Sequence, residues 1–212
     1  MNIQQIVTGP VQENCYLLWQ NNELLVVDPG ADAKKISAAI KKTAATPLAI
    51  ILTHTHYDHI GAVDAIRDQY QIPVYVSSDE QEWLQSPQKN LSGRHPELGP
   101  ITARDAEHEF ELNTTLTIGS FSFEVVPTPG HSIGSVSFIF DSFVVCGDAL
   151  FKGSIGRTDL YTGNLEQLLN SIQTQLFILP DSFDAYPGHG EPTTIGHEKA
   201  TNPFFNLSLI HI

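Results

Sequence analysis

The sequence predicts a single α/β domain in which sheets and helices are layered as a sandwich, and three observations carry that reading. The chain has 212 residues, the size of one large domain and short for two. Hydrophobic residues make up 41% and charged residues 17%, enough apolar side chain for a sizeable core and too little charge for a disordered chain. In both halves strand-like apolar runs precede helix-like runs, with no internal repeat or low-complexity tract between them.

Taken in order, strand signals open the chain at 3–7, 15–19 and 24–27, the last stopped by the turn signal Asp28-Pro29-Gly30. Asp32 is placed to cap a helix running to residue 42, with Ile36, Ala39 and Ile40 on one face. Pro47 closes that region, and 48–52 reads as a continuous buried strand. A helix is expected over 60–69, a short strand at 73–76 and a helix near 79–85. Residues 86–105, with Pro87, Gly93, Pro96, Gly99 and Pro100, read as a long loop, and loops of that length are uncommon unless they carry a function. Further strands are expected at 114–118, 121–126, 136–140 and 143–146, then a helix over 165–173 capped by Asn164, and a strand near 183–186. One domain over 1–206 is expected, with 207–212 as an unassigned tail.

The formal net charge is −13, which argues against nucleic acid as a partner, because phosphate binding needs a basic stripe. No apolar run approaches the roughly 20 residues of a membrane span, and the first residues lack the basic start of a signal peptide. A cytoplasmic protein with no membrane partner is therefore expected. Cys15 and Cys146 lie in apolar runs, cannot form a disulfide framework, and read as small buried hydrophobes. The sequence carries no signal for the oligomeric state.

The decisive stretch is Thr53-His54-Thr55-His56-Tyr57-Asp58-His59-Ile60-Gly61, directly after a buried strand and before a helix. His54 and His56, two apart at a strand end, point the same way, and Asp58 and His59 follow in the turn. Four imidazole and carboxylate donors within six residues suit zinc and similar cations. A polar turn of unrelated histidines is the bland alternative. Three more segments place a glycine and then one donor after a strand: Gly130-His131, Gly147-Asp148 and Gly188-His189. A single histidine after a strand is usually structural, but strand ends on one sheet edge converge, which is where open α/β folds place ligands. Seven donors exceed one tetrahedral site, so two metal ions are expected, with Asp148 the natural carboxylate to bridge them.

At these residues the chain resembles the metallo-β-lactamase superfamily, whose H-x-H-x-D-H motif and later glycine-donor pairs it matches in order over about 14–206. The resemblance implies the αββα sandwich of that superfamily. It implies that His54, His56 and His131 hold one metal, that Asp58, His59 and His189 hold the second, and that Asp148 is shared. The metals would be two divalent ions per chain, zinc first, with iron or manganese as alternatives.

Within the superfamily the stretches Asp148-Ala149-Leu150-Phe151, 153–159 and 201–205 look like glyoxalase II-type thioesterases in their short bacterial form. That likeness implies a small-molecule substrate, a 2-hydroxyacyl thioester such as S-lactoylglutathione, cleaved by a metal-bridging hydroxide, with Asp58 as the catalytic proton acceptor. Full-length glyoxalase II enzymes carry a helical C-terminal domain that grips glutathione, whereas here 23 residues follow His189. Beyond residue 104 the chain has three Lys or Arg against thirteen Asp or Glu, and two of the three, Lys152 and Arg157, follow Asp148 closely. They are either a clamp for a substrate carboxylate, Arg157 the stronger candidate, or solvated surface charges. Thr53 and Thr55 are candidates to orient the ligands, or plain strand residues.

Three other functions fit the same residues less well. One is a persulfide dioxygenase of the same superfamily, with a single iron on His54, His131 and Asp148. The others are a lactone hydrolase using both metals and a non-catalytic metal-binding module.

Overall fold

The structure is a computed structural model and describes residues 1–206; the tail expected at 207–212 lies outside the described residues. The chain forms two compact units. The first comprises Met1–Phe110 and Thr117–Ser122, and the second Glu111–Leu116 and the chain from Phe123.

The first unit is a six-stranded sheet in chain order: β1 (Asn2–Thr8), β2 (Glu13–Gln20), β3 (Glu23–Val27), β4 (Thr46–Ile51), β5 (Val74–Val76) and β6 (His108–Glu109). β1 to β3 form an antiparallel meander, whereas β3 to β6 run parallel. The parallel strands are joined by crossovers carrying α1 (Ala33–Thr43), then α2 (Tyr57–Ile60) and α3 (Val63–Tyr70). The core places Ile36 and Ile40 of α1 and Val63 and Ile66 of α3 with Leu17, Leu24, Val26, Ile50 and Val74 of the sheet. β4 is apolar and closed from solvent over its last three residues, as expected for a central parallel strand.

Three local expectations are corrected. Asp32 stands at the helix start but does not cap it with its side chain. Its backbone is left-handed (φ 53°), and its Oδ2 accepts from Gly9 N instead, 3.0 Å away. Pro47 lies inside β4 rather than before it: Leu24 pairs with Pro47 and Leu25 with Ala49, so Leu48 is a bulge that accommodates the missing N–H. The helix expected over 60–69 is two helices. The chain bends at Gly61, where a Cβ would stand 2.4 Å from Gly30 O, and Ala62 N donates to Pro29 O. The helix near 79–85 is a 3-10 helix, Ser78–Gln85, and the long loop is irregular apart from a turn at Ser92–Arg94.

The second unit holds β7 (Thr114–Ile118), β8 (Phe121–Pro127), β9 (Val136–Ile139), β10 (Phe143–Gly147), the small hairpin β11 (Leu150–Phe151) and β12 (Ser154–Ile155), β13 (Asp184–Pro187) and β14 (Thr193–Thr194). The main sheet runs β14-β13-β10-β9-β8-β7. Residues at the β7–β8 tip group with the first unit, where Ser120 N donates to Glu23. α4 (Leu165–Ser171) is capped as expected, Asn164 Oδ1 accepting from Gln167 N at 2.9 Å, and runs on into a π turn at Ile172–Leu176. α5 (Ile195–Thr201) was not anticipated and is capped by Thr194. Leu168, Ile172 and Leu176 pack with Val144, Cys146, Leu150, Ala185 and Ile195. Both cysteines are free and buried, and burial pushes the Cys146 thiol up to about 12. Among the described residues no helix is long and apolar enough to cross a membrane.

Candidate metal centre

In the first unit the motif follows β4 as an irregular stretch that enters α2. His54, His56 and His59 are buried, with ring centroids 4.7 Å apart for His54 and His56 and 4.1 Å for His54 and His59. Asp58 Oδ2 lies 3.8 Å from His59 Nε2. The structure therefore brings all four donors of the motif together.

The imidazole orientations are set by Asp28, which the sequence marked only as part of a turn. Its carboxylate accepts from Thr53 N (2.7 Å), from Thr53 Oγ1 (2.6 Å) and from His59 Nδ1 (2.9 Å). Because the Thr53 hydroxyl gives its proton to Asp28, its oxygen can only accept from His54 Nδ1, 3.1 Å away. Both rings thus hold a proton on Nδ1 and present Nε2 as the electron-pair donor, the tautomer a metal requires. Glu80, fully buried, accepts the N–H and hydroxyl of Thr55 at 2.7 and 2.9 Å. The His56 ring stacks over Trp83 at 6.3 Å.

Behind them Glu13 is fully buried, its Oε2 accepting from Thr8 Oγ1 at 2.5 Å and its Oε1 standing 4.0 Å from His59 Nδ1. Burial pushes the Glu13 carboxyl well above its usual range, an effect that His59 only partly offsets. Gly30 is obligatory here, since a Cβ would meet Asp58 O at 1.6 Å and Glu13 Oε2 at 2.6 Å.

The second unit holds the other three donors. Asp148 follows Gly147 at the end of β10, and His189 follows Gly188 just after the parallel neighbour β13. Gly188 N donates to Gly147 O at 2.8 Å, so the residue after each glycine leaves its strand at the same level. Asp148 Oδ2 is 3.5 Å from His131 Nε2 and 3.6 Å from His189 Nε2. His131 Nδ1 donates to the Arg157 carbonyl at 2.9 Å, which again leaves Nε2 as the donor atom.

Two backbone approaches fix this set. A Cβ on Gly156 would stand 1.8 Å from Asp148 O, and one on Gly130 (φ +131°) would stand 2.3 Å from Leu168 N. Lys152 and Arg157 are both exposed and ion-paired: Lys152 Nζ to Glu191 Oε2 at 2.6 Å, and Arg157 to both oxygens of Asp159 at 2.8 Å. These carboxylates hold both cations above their ordinary pKa values.

Histidine nitrogens with fixed tautomers beside carboxylates are a donor chemistry suited to divalent metal ions. The family model described as Metallo-beta-lactamase superfamily matches residues 8–189. The chain belongs to the metallo-β-lactamase superfamily. Relatives in this superfamily match the chain nearly end to end. A probable metallo-hydrolase of Streptococcus pyogenes is 47% identical over 97% of this chain and 91% of the relative. The hydroxyacylglutathione hydrolase GloC of Haemophilus influenzae is 34% identical over 97% of this chain and 99% of the relative.

Two solved superfamily structures share the fold. BLEG-1 B3 metallo-beta-lactamase has a TM-score of 0.93 at 46% identity, covering 96% of this chain and 99% of that one. TTHA1623 in a di-iron-bound form has a TM-score of 0.85 at 36% identity, covering 95% and 99%. The α/β class and superfamily read from the sequence are thus established, and the protein is a metallo-hydrolase of that superfamily.

The sequence missed Asp28, Glu80, Glu13 and the Arg157 carbonyl. Only Asp28 left a signal: an acid ending the apolar run Leu24-Leu25-Val26-Val27, on the same sheet edge as the motif.

Proposed function

We propose that the protein is a dinuclear metal-dependent hydrolase of the glyoxalase II type, cleaving thioesters of 2-hydroxy acids such as S-lactoylglutathione. The observation that carries the metal part is that Nδ1 of His54, His59 and His131 each donates to a protein oxygen, which leaves Nε2 of each ring for a metal. In this reading His54, His56 and His131 hold one ion and Asp58, His59 and His189 hold the other, zinc being the expected metal. Asp148 is shared, a role suited to an oxygen set 3.5 and 3.6 Å from two imidazole nitrogens.

Two bound ions would lower the pKa of a shared water and polarise the scissile carbonyl. Asp58 accepts the proton of the attacking water at its carboxylate, and a thiolate leaves without an acid to protonate it. The identity with hydroxyacylglutathione hydrolase supports the thioester, and the likeness to a di-iron-bound protein supports two ions. Arg157 and Lys152 are the basic groups offered to an anionic substrate, each already engaged by a carboxylate. A second reading, β-lactam hydrolysis, is favoured by the 46% identity with a protein described as a B3 metallo-beta-lactamase.

Metal analysis of protein purified without added metal, beside rates on S-lactoylglutathione, a neutral acyl thioester, a lactone and a cephalosporin, tests the proposal. Two ions per chain with thioesters preferred is the expected result. One iron per chain with oxygen uptake on a persulfide overturns it, as does turnover confined to the lactone or the β-lactam.

A further inference from the structure

The long loop after the 3-10 helix is organised around one buried side chain. Asn90 is fully closed from solvent, and its amide makes four hydrogen bonds. Nδ2 donates to Trp83 O (3.1 Å) and Ile101 O (2.9 Å), while Oδ1 accepts from Ser92 N (3.0 Å) and Ser92 Oγ (2.8 Å). Ser92 Oγ also lies 3.1 Å from both Ile101 O and Ile101 N. The Asn90 N–H is held by Ser86 O at 2.9 Å. Both polar groups of the side chain are thus used, tying the 3-10 helix and the start of the loop to Ile101, eleven residues on, directly through Nδ2 and by way of Ser92.

The remaining group, the Asn90 carbonyl, faces the metal motif. It accepts from Tyr57 N at 2.9 Å, the first N–H of α2 and one residue before Asp58. A four-residue helix holds itself poorly, since the first N–H groups of a helix have no acceptor within it; His59 N reaches back to His56 O at 2.9 Å, whereas Tyr57 N is served from the loop. No capping side chain serves α2 either, because the cap position is His56 and makes no side-chain cap bond. The Tyr57 ring lies 4.8 Å from His95 of the same loop, and Glu80 and Trp83, just before it, hold Thr55 and His56.

We propose that Asn90 is a positioning residue for Asp58 and His59: its side chain knots the loop so that its carbonyl fixes the first turn of α2 and hence the two donors that turn carries. The consequence for metal binding rests on the two-ion reading above; the knot itself does not.

Hydrogen exchange of the full-length, metal-free chain tests the knot, comparing wild type, Asn90→Ala and the milder Ser92→Ala. The segment 55–60 should exchange about ten-fold faster in Asn90→Ala and a smaller multiple faster in Ser92→Ala, with β2 and β3 unchanged. Titration of the same proteins with cobalt(II) should show one equivalent bound about 10–100-fold more weakly and the other little changed. Unaltered exchange over 55–60 in both variants overturns the proposal. So does faster exchange spread equally through β2 and β3 in both, which would make Asn90 a general support of the fold. A wild type that takes a single cobalt overturns the two-ion reading instead, and exchange then still decides the knot.

Discussion

Asp28 and His59 are joined by a 2.9 Å hydrogen bond from Nδ1 to Oδ2, and that same oxygen receives the Thr53 hydroxyl that in turn faces His54. One carboxylate therefore sets the tautomer of two imidazoles. Asp28→Asn keeps the shape but turns an acceptor into a donor opposite an N–H or O–H. Metal affinity should fall about 10–100-fold, measured by competition with a chromophoric chelator. Unchanged affinity would show that the rings hold their tautomer without Asp28.

Gly156 and Gly153 make a paired test in the second unit. A methyl at Gly156 would overlap Asp148 O at 1.8 Å and press on His131 Cβ at 3.2 Å, whereas one at Gly153 (φ +69°) meets nothing within 4 Å. Gly153→Ala should cost about 1–2 kcal/mol of stability through backbone strain and leave metal content intact. Gly156→Ala should displace Asp148 and lower metal content as well. Full metal loading in Gly156→Ala, with wild-type stability, would contradict the described contact.

Arg67 gives the acid limb of stability a specific origin. Buried to 4% exposure, it donates to Asp64 (3.1 Å), to Glu107 (2.5 Å) and to the carbonyls of Arg104 and Asp105. Burial raises both carboxyls, but the Arg67 bonds, with Arg104 on Asp64 and the Val74 N–H on Glu107, outweigh it and hold both below their ordinary values. Folded values below unfolded ones mean stability present above the unfolded pKa and lost as pH falls through the folded one. Arg67→Leu should cost about 1.5–3 kcal/mol at neutral pH. The gap to wild type should narrow below about pH 4 to the part that packing and the carbonyl bonds contribute, read by urea denaturation of chelated protein. A gap independent of pH would mean that the loss is one of packing and carbonyl bonds alone.

The sequence made the donors legible because four of them crowd into residues 54–59 after a buried strand and the other three each follow a strand and a glycine, and glycines such as Gly147 and Gly188 are where parallel strand ends exchange a backbone bond. The strands of five or more residues were read to within two residues, since burial on alternating or both faces writes directly into composition. β6, β11, β12 and β14, each of two residues, are too short to leave a period. The break at Gly61 and the roles of Asp28, Glu80 and Asn90 were not legible, because each depends on a partner far along the chain: Gly30, Thr53, Thr55 and Tyr57 respectively. A polar side chain announces that it needs partners, not which partners it finds.

The last prediction concerns the anionic substrate. Arg157 and Asp159 form a two-bond pair, exposed to 62% and 69%, so the charge of the Arg157 fork is already matched. Such a pair is worth about 0–1 kcal/mol to the fold, so breaking it should leave stability unchanged. Asp159→Ala then frees the guanidinium for a substrate carboxylate, and a contact of about 1 kcal/mol lowers KM for an anionic thioester roughly five-fold. KM for a neutral thioester should stay as it was. Adding Arg157→Ala should return the anionic KM to the wild-type level or above. Neither change should alter kcat, because His131 is oriented by the Arg157 carbonyl, which both substitutions keep. Equal KM values for the anionic thioester in wild type and Asp159→Ala would make Arg157 a surface charge with no part in substrate binding.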